Sequence, residues 1–138
     1  MSADGTLLLE VHTATRRYLV PRGHLDQLAQ VAPGAPALLD ARGRPLALRE
    51  LGPLLDPADR GPPGRRHALV VSLRRRAVAL LVERAEALDA PGAVQPLGPL
   101  LHGRLARPWA LGAVLVGAAP VVVLDLRRIA ADVALGAV

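Results

Sequence analysis

The sequence predicts an all-β protein with short helices. Short apolar runs follow one another along most of the chain, and clusters of turn-forming residues separate them. Breakers are plentiful, with 13 glycines and 13 prolines. Apolar spacing of helical type is confined to a few short segments. Many short strands with few helices favour barrels over a layered α/β sheet.

Residues 6–11 and 16–20 read as a first hairpin around 12–15. Residues 23–31 carry Leu25, Leu28 and Ala29 at helical spacing, which predicts a short helix opening at His24-Leu25-Asp26. Pro33-Gly34-Ala35-Pro36 stops it. Two apolar runs then flank the corner Arg42-Gly43-Arg44-Pro45. Gly43 can take the positive φ of a tight turn, and Pro45 pre-sets φ and lacks an N–H, so a hairpin that exposes an arginine is expected here. Residues 51–55 form a turn of helix or coil.

Residues 56–66 have no periodicity and are rich in breakers, which marks the best internal boundary. Residues 67–73 and 77–83 then form a hairpin turned by Arg74-Arg75-Arg76, and 91–108 is a Gly- and Pro-rich loop. Residues 109–116 and 121–124 pair about Gly117-Ala118-Ala119-Pro120. Asp125 is placed to cap a closing helix that runs through Val133.

Composition narrows the possible functions. With 138 residues the chain reads as one domain, 1–138, able to bury roughly two thirds of its unfolded surface. Without cysteine it has no disulfide framework, thiolate nucleophile or zinc ribbon, which fits a reducing cytoplasm. No basic start precedes an apolar stretch at Met1–Gly5, so no signal peptide is expected. The apolar stretch 109–124 is shorter than the ~20 residues of a spanning helix and is punctuated by Gly112, Gly117 and Pro120, so no membrane insertion is expected.

No catalytic pattern stands out. His12, His24, His67 and His102 are scattered, without a partner at helical spacing that would make a metal-binding face. Ser2 and Ser72 lack nucleophile-elbow glycines, and no phosphate-cradling glycine motif occurs. Asp125 and the group Glu83, Glu86 and Asp89 read more simply as a cap and as solvated charges. The expectation is a protein that is not an enzyme and holds no metal, nucleotide or cofactor. The net charge of +5 leaves open an Arg-rich barrel that binds nucleic acid or an acidic protein. Arg65-Arg66 and Arg74-Arg75-Arg76 could meet phosphates, but Trp109 and Tyr18 are the only aromatics on which bases could stack.

Four stretches in order resemble the CheW-type coupling family. Tyr18-Leu19-Val20-Pro21 followed by Leu25-Asp26-Gln27-Leu28 stands where that family has an aromatic-x-x-Pro step into a V-x-E-[VI] helix. Leu38 through Leu48 resembles its V-x-N-x-R-G-x-x-x-P-[VI]-x-D-L hairpin, with the proline nearer the glycine. Ala79 through Glu86 resembles its G-[LI]-x-V-D-x-V stretch. Val114 through Ile129 resembles its closing hairpin and L-L-D-x-x-x-L end, with Asp125 in the acidic position.

The resemblance implies two packed five-stranded Src-homology-3-like β-barrels. It also implies a non-catalytic adaptor that joins the cytoplasmic tip of a methyl-accepting chemoreceptor to the regulatory domain of a CheA-type histidine kinase. In such a protein the cleft between the barrels receives the receptor tip, and by position Arg42, Gly43, Leu25 and Gln27 inherit that partner-binding surface. The chain departs from the pattern by a shorter segment before Arg42, by Gln27 in place of glutamate and by Ala47 in place of aspartate. These departures suggest a divergent or accessory member of a chemosensory array.

Overall fold

A computed structural model describes residues 7–31, 39, 42–59, 66–88, 94–95 and 108–138. In chain order the elements are β1 (Leu8–His12), β2 (Arg17–Pro21), a 3-10 turn (Arg22–His24), β3 (Gln27–Val31), β4 (Ala47–Glu50), α1 (Leu51–Leu55), β5 (Arg66–Ser72), β6 (Ala77–Val82), β7 (Arg84–Ala87), β8 (Ala110–Val116), β9 (Ala119–Leu124) and α2 (Leu126–Ala134). The mostly-β architecture with short helices agrees with the sequence reading.

The strands form two mixed sheets. One has five strands in the order β7-β1-β2-β9-β8, and the other has four in the order β3-β5-β6-β4. The second sheet thus carries one strand fewer, among the described residues, than the five expected for each barrel. Most neighbours are antiparallel, but β2 runs parallel to β9 and β4 runs parallel to β6. The chain passes from the first sheet to the second through the 3-10 turn. It returns at Glu83, whose N–H donates to the His12 carbonyl at 2.9 Å.

The central strands of both sheets are buried on both faces. Leu9, Val11, Tyr18 and Val20 of one sheet meet Leu69, Val71, Val78 and Leu80 of the other in a shared core, where Leu51, Leu55, Trp109, Leu126 and Ile129 join them. The alternate residues fill separate clusters. Leu8, Leu19, Val114, Val121 and Val123 pack together on the far side of the five-stranded sheet, and Leu46, Ala68, Val70, Ala77 and Ala79 do so on the other. This accounts for the unbroken apolar runs in β5 and β6, since a strand covered on both sides has no polar face to alternate with.

The closing helix forms as expected. The Asp125 side chain caps it by accepting from the Arg128 N–H at 3.2 Å. Trp109 Nε1 donates to Asp132 Oδ2 at 2.7 Å, and Asp125 N–H donates to the Trp109 carbonyl at 2.6 Å. At the far end Arg76 reaches the Ala134 carbonyl at 3.1 Å, and Arg49 reaches that of Val138 at 2.7 Å. Among the described residues no helix is long and apolar enough to cross a membrane. Most of 109–124 is the β8–β9 hairpin, whose turn is only Gly117-Ala118 because Ala119 and Pro120 already belong to β9.

The helix expected over 23–31 is corrected by the structure to a single 3-10 turn followed by β3. The Leu25 N–H closes the turn on the Arg22 carbonyl at 3.1 Å, but the Asp26 N–H bonds the Val70 carbonyl at 2.8 Å, across to β5. Ala29 and Val31 pack into the cluster beneath this sheet. That period of two outweighs the helical spacing of Leu25, Leu28 and Ala29, because β5 gains a partner strand.

A buried carboxylate fastens the segment after α1 to the first hairpin. Asp59, only 2% exposed, accepts from the Thr13 hydroxyl, from Thr15 Oγ1 at 2.8 Å and from the Ala14 N–H at 3.0 Å. A Cβ on Gly52 would sit 2.9 Å from Asp59 Oδ1, so only glycine leaves room for this approach. Residues 56–59, read as the start of an unstructured boundary, are therefore anchored; 60–65 lie outside the described residues, as does most of the 91–108 loop. Burial pushes the Asp59 pKa up, but the Thr13, Thr15 and Ala14 hydrogen bonds outweigh it and hold the group below its ordinary value of 3.8.

Asp59→Ala should destabilise the fold by on the order of 3 kcal/mol, since hydrogen bonds to a charged group contribute ~1.5–3 kcal/mol and their partners would be left buried. Chemical denaturation checks this. Because the folded pKa is depressed, the contribution of Asp59 is fully present above pH 3.8 and fades as the pH falls through the folded value. The stability gap between wild type and Asp59→Asn should therefore narrow in acid.

Candidate functional site

Leu25 and Gln27 lie along a groove between the two sheets. One wall is the start of β3, the edge strand of the four-stranded sheet, and the other is β7, the edge strand of the five-stranded sheet. The groove holds about 410 Å³. Leu9, Leu25, Leu28, Ala85 and Ala87 supply its apolar surface, and Arg22, Asp26, Gln27 and Glu86 its polar groups. A second hollow of about 280 Å³ lies between the same two strands, at Gln30 and Arg84.

Leu25 is half-buried in extended conformation and packs against the shared core, while Gln27 is exposed and opens β3 opposite Val70. Leu28 is 42% exposed, an apolar side chain facing outward where a partner could cover it. Burial holds His24, in the preceding turn, below its ordinary pKa of 6.5, and repulsion from Arg127 adds to this. The turn therefore presents a neutral imidazole at pH 7, and the mixed charges of the groove come from Arg22, Asp26 and Glu86.

Arg42 lines a neighbouring basin, on a corner turned by Gly43. Leu39 and Pro45 form an antiparallel bridge across the corner, and Gly43 takes φ +77°. Both arginines of the corner, Arg42 and Arg44, are exposed and face the Arg74-Arg75-Arg76 turn, where the Leu73 N–H bonds the Arg76 carbonyl at 2.7 Å. The expected residues are thus divided between two hollows: Leu25 and Gln27 line the groove, Arg42 lines the basin, and Gly43 turns the corner that carries Arg42. The common boundary of the two hollows is a hydrogen bond from Ser72, on the basin wall, to Asp26, on the groove wall. No sequence motif announced this bond, because its partners are far apart in the chain.

Several other polar groups among the described residues are engaged structurally. His12 Nε2 lies 2.8 Å from Glu10 and 3.6 Å from Glu86, a trio close enough to hold a cation. Arg17 and Arg84 already balance those carboxylates, each at 3.8 Å. His67 Nδ1 accepts from the Ala85 N–H at 2.7 Å and ties β5 to β7. Arg66 pairs with Glu83 at 3.1 Å and with Glu50 at 3.4 Å. His102 and Asp89 lie outside the described residues.

The chain is similar in structure to the scaffolding protein TtCheW from Thermoanaerobacter tengcongensis. The TM-score is 0.66 at 11% sequence identity, over 90% of this chain and 86% of that one. The fold is therefore CheW-like. No family model and no curated protein matches the sequence.

The corner that carries Arg42 depends on Gly43, because a non-glycine residue at positive φ is strained by roughly 1–2 kcal/mol. Open space surrounds the position a Cβ would take, so the cost is conformational rather than steric. Gly43→Val should lower stability by about that amount and Gly43→Asn by clearly less, as read by chemical denaturation.

Proposed function

We propose that the protein is a non-catalytic adaptor of a chemosensory array, which joins a methyl-accepting chemoreceptor to a CheA-type histidine kinase on the cytoplasmic side of the membrane. The observation that carries this reading is the groove between the sheet edges, on a CheW-like fold. Its apolar floor and polar rim suit the tip of a helical hairpin, whose end offers both apolar knobs and charged side chains. Leu25 and Leu28 would meet the knobs, and Arg22 and Glu86 would fix the orientation.

Arg42 and Gly43 extend the surface beyond the Ser72–Asp26 boundary. A guanidinium at this corner offers a rigid fork of donors to a carboxylate or to helix-end carbonyls. Gln27 contributes a neutral amide where glutamate is usual in the family. That loss of charge favours an accessory role, in which one partner is held more tightly than the other within an array built by a fuller homologue. The chain would act as one unit, 1–138, since the apolar core is shared between its sheets.

Titration against a receptor cytoplasmic tip and, separately, against a kinase regulatory domain tests the proposal. One of the two should bind at least tenfold more tightly. Arg42→Glu should weaken that binding about tenfold or more, as loss of a charge-assisted contact of ~1.5–3 kcal/mol requires, with the circular dichroism spectrum unchanged. Failure to bind either partner would sink the adaptor reading, and comparable affinities for both would remove the accessory role.

A further inference from the structure

The two arginine-bearing turns, distant in sequence, enclose one cavity. Arg42 and Arg44 from the corner and Arg74, Arg75 and Arg76 from the β5–β6 turn surround about 170 Å³, with Ser72 on the wall. Arg76 also donates to the Ala134 carbonyl, which leaves further donors of its five-donor guanidinium for a ligand. Asp26, the acceptor of the Ser72 hydroxyl, belongs to the neighbouring groove and is not part of this lining.

This concentration of positive charge selects its ligand. A carboxylate brings one negative charge, and successive carboxylates on a helix face stand ~5–6 Å apart. A terminal phosphoryl group brings about 1.5–2 charges on three acceptor oxygens, and a short phosphoryl chain packs several such groups together. Guanidinium forks match phosphate oxygens two at a time. Among the described residues no aromatic ring lines the cavity, so a nucleobase would find no aromatic platform there.

We propose that this basin binds a compact, multiply charged phosphoryl group, either free as a short inorganic polyphosphate or carried on a phosphorylated lipid headgroup. The basin lies beside the groove assigned to the receptor tip and shares Arg42 with the surface proposed there, but phosphoryl binding is read on Arg74 and Arg75 and does not depend on the adaptor reading. Its arginines lie at the surface, so binding should weaken as salt shortens the screening length from about 10 Å at 0.1 M.

Calorimetric titration of the full chain with tripolyphosphate at low ionic strength is the test. One-to-one binding is expected, and Arg74→Ala/Arg75→Ala should weaken it at least tenfold. Arg17→Ala/Arg128→Ala, which removes the same charge elsewhere, should change it less than twofold. If the first double variant does not fold, Arg75→Gln alone should still weaken binding severalfold. Sedimentation with phosphatidylcholine vesicles, with and without phosphatidylinositol bisphosphate, identifies the source: capture only by the phosphorylated vesicles assigns the lipid, and tripolyphosphate binding without capture assigns the free ion. Absence of tripolyphosphate binding at millimolar concentration, equal losses in the two double variants, or tighter binding of polyglutamate or oligothymidylate would each overturn the proposal.

Discussion

The central strands of each sheet are apolar on both faces and so have to be covered twice. That requirement organises the molecule. One face of each sheet is covered by the other sheet, with α1, Trp109 and α2 closing the gap, and the opposite face encloses its own aliphatic cluster. Trp109 and Tyr18 are the only aromatics, so branched aliphatic chains do nearly all of the filling. Burying each such side chain contributes ~1.5–3 kcal/mol, which is how a chain without cysteine can hold two sheets together.

The candidate binding surfaces follow from where this covering stops. Side chains alternate between the shared core and the outer clusters, and the strands at the sheet margins leave a groove where they face each other. Polar fasteners fix its walls: the Glu83 N–H on the His12 carbonyl, the Ala85 N–H on His67, and Asp26 on Val70 and Ser72. A groove held by backbone bonds on both sides presents a preformed shape to a partner, which lowers the ordering cost of binding.

Much of the architecture was legible in the chain because its signals are local. The hairpin at Arg74-Arg75-Arg76, the positive φ of Gly43 and the cap at Asp125 each rest on a few adjacent residues. Segment 23–31 was misread because Leu25, Leu28 and Ala29 satisfy helical spacing, whereas the alternation of Ala29 and Val31 has meaning only once β5 lies alongside. Asp59 goes unmarked within the breaker-rich segment 56–66 for a similar reason, since Thr13 and Thr15 come from a distant turn. The meeting of Arg42 with Arg74 and Arg75 likewise required the fold, because nothing in either motif refers to the other.

The parallel pairing of β2 with β9 joins Leu19 to Val123, near opposite ends of the chain. The β5–β6 hairpin, by contrast, needs only its own short turn. Contacts so remote in sequence carry a large loop-closure cost and slow the search for the native state. During synthesis the four-stranded sheet can assemble while the first hairpin waits for the last strands to leave the ribosome. Until then the face of that hairpin bearing Leu8 and Leu19, which packs on Val114, Val121 and Val123, has nothing to cover it. Its nascent form is the stage at which this protein is most open to aggregation and to capture by chaperones.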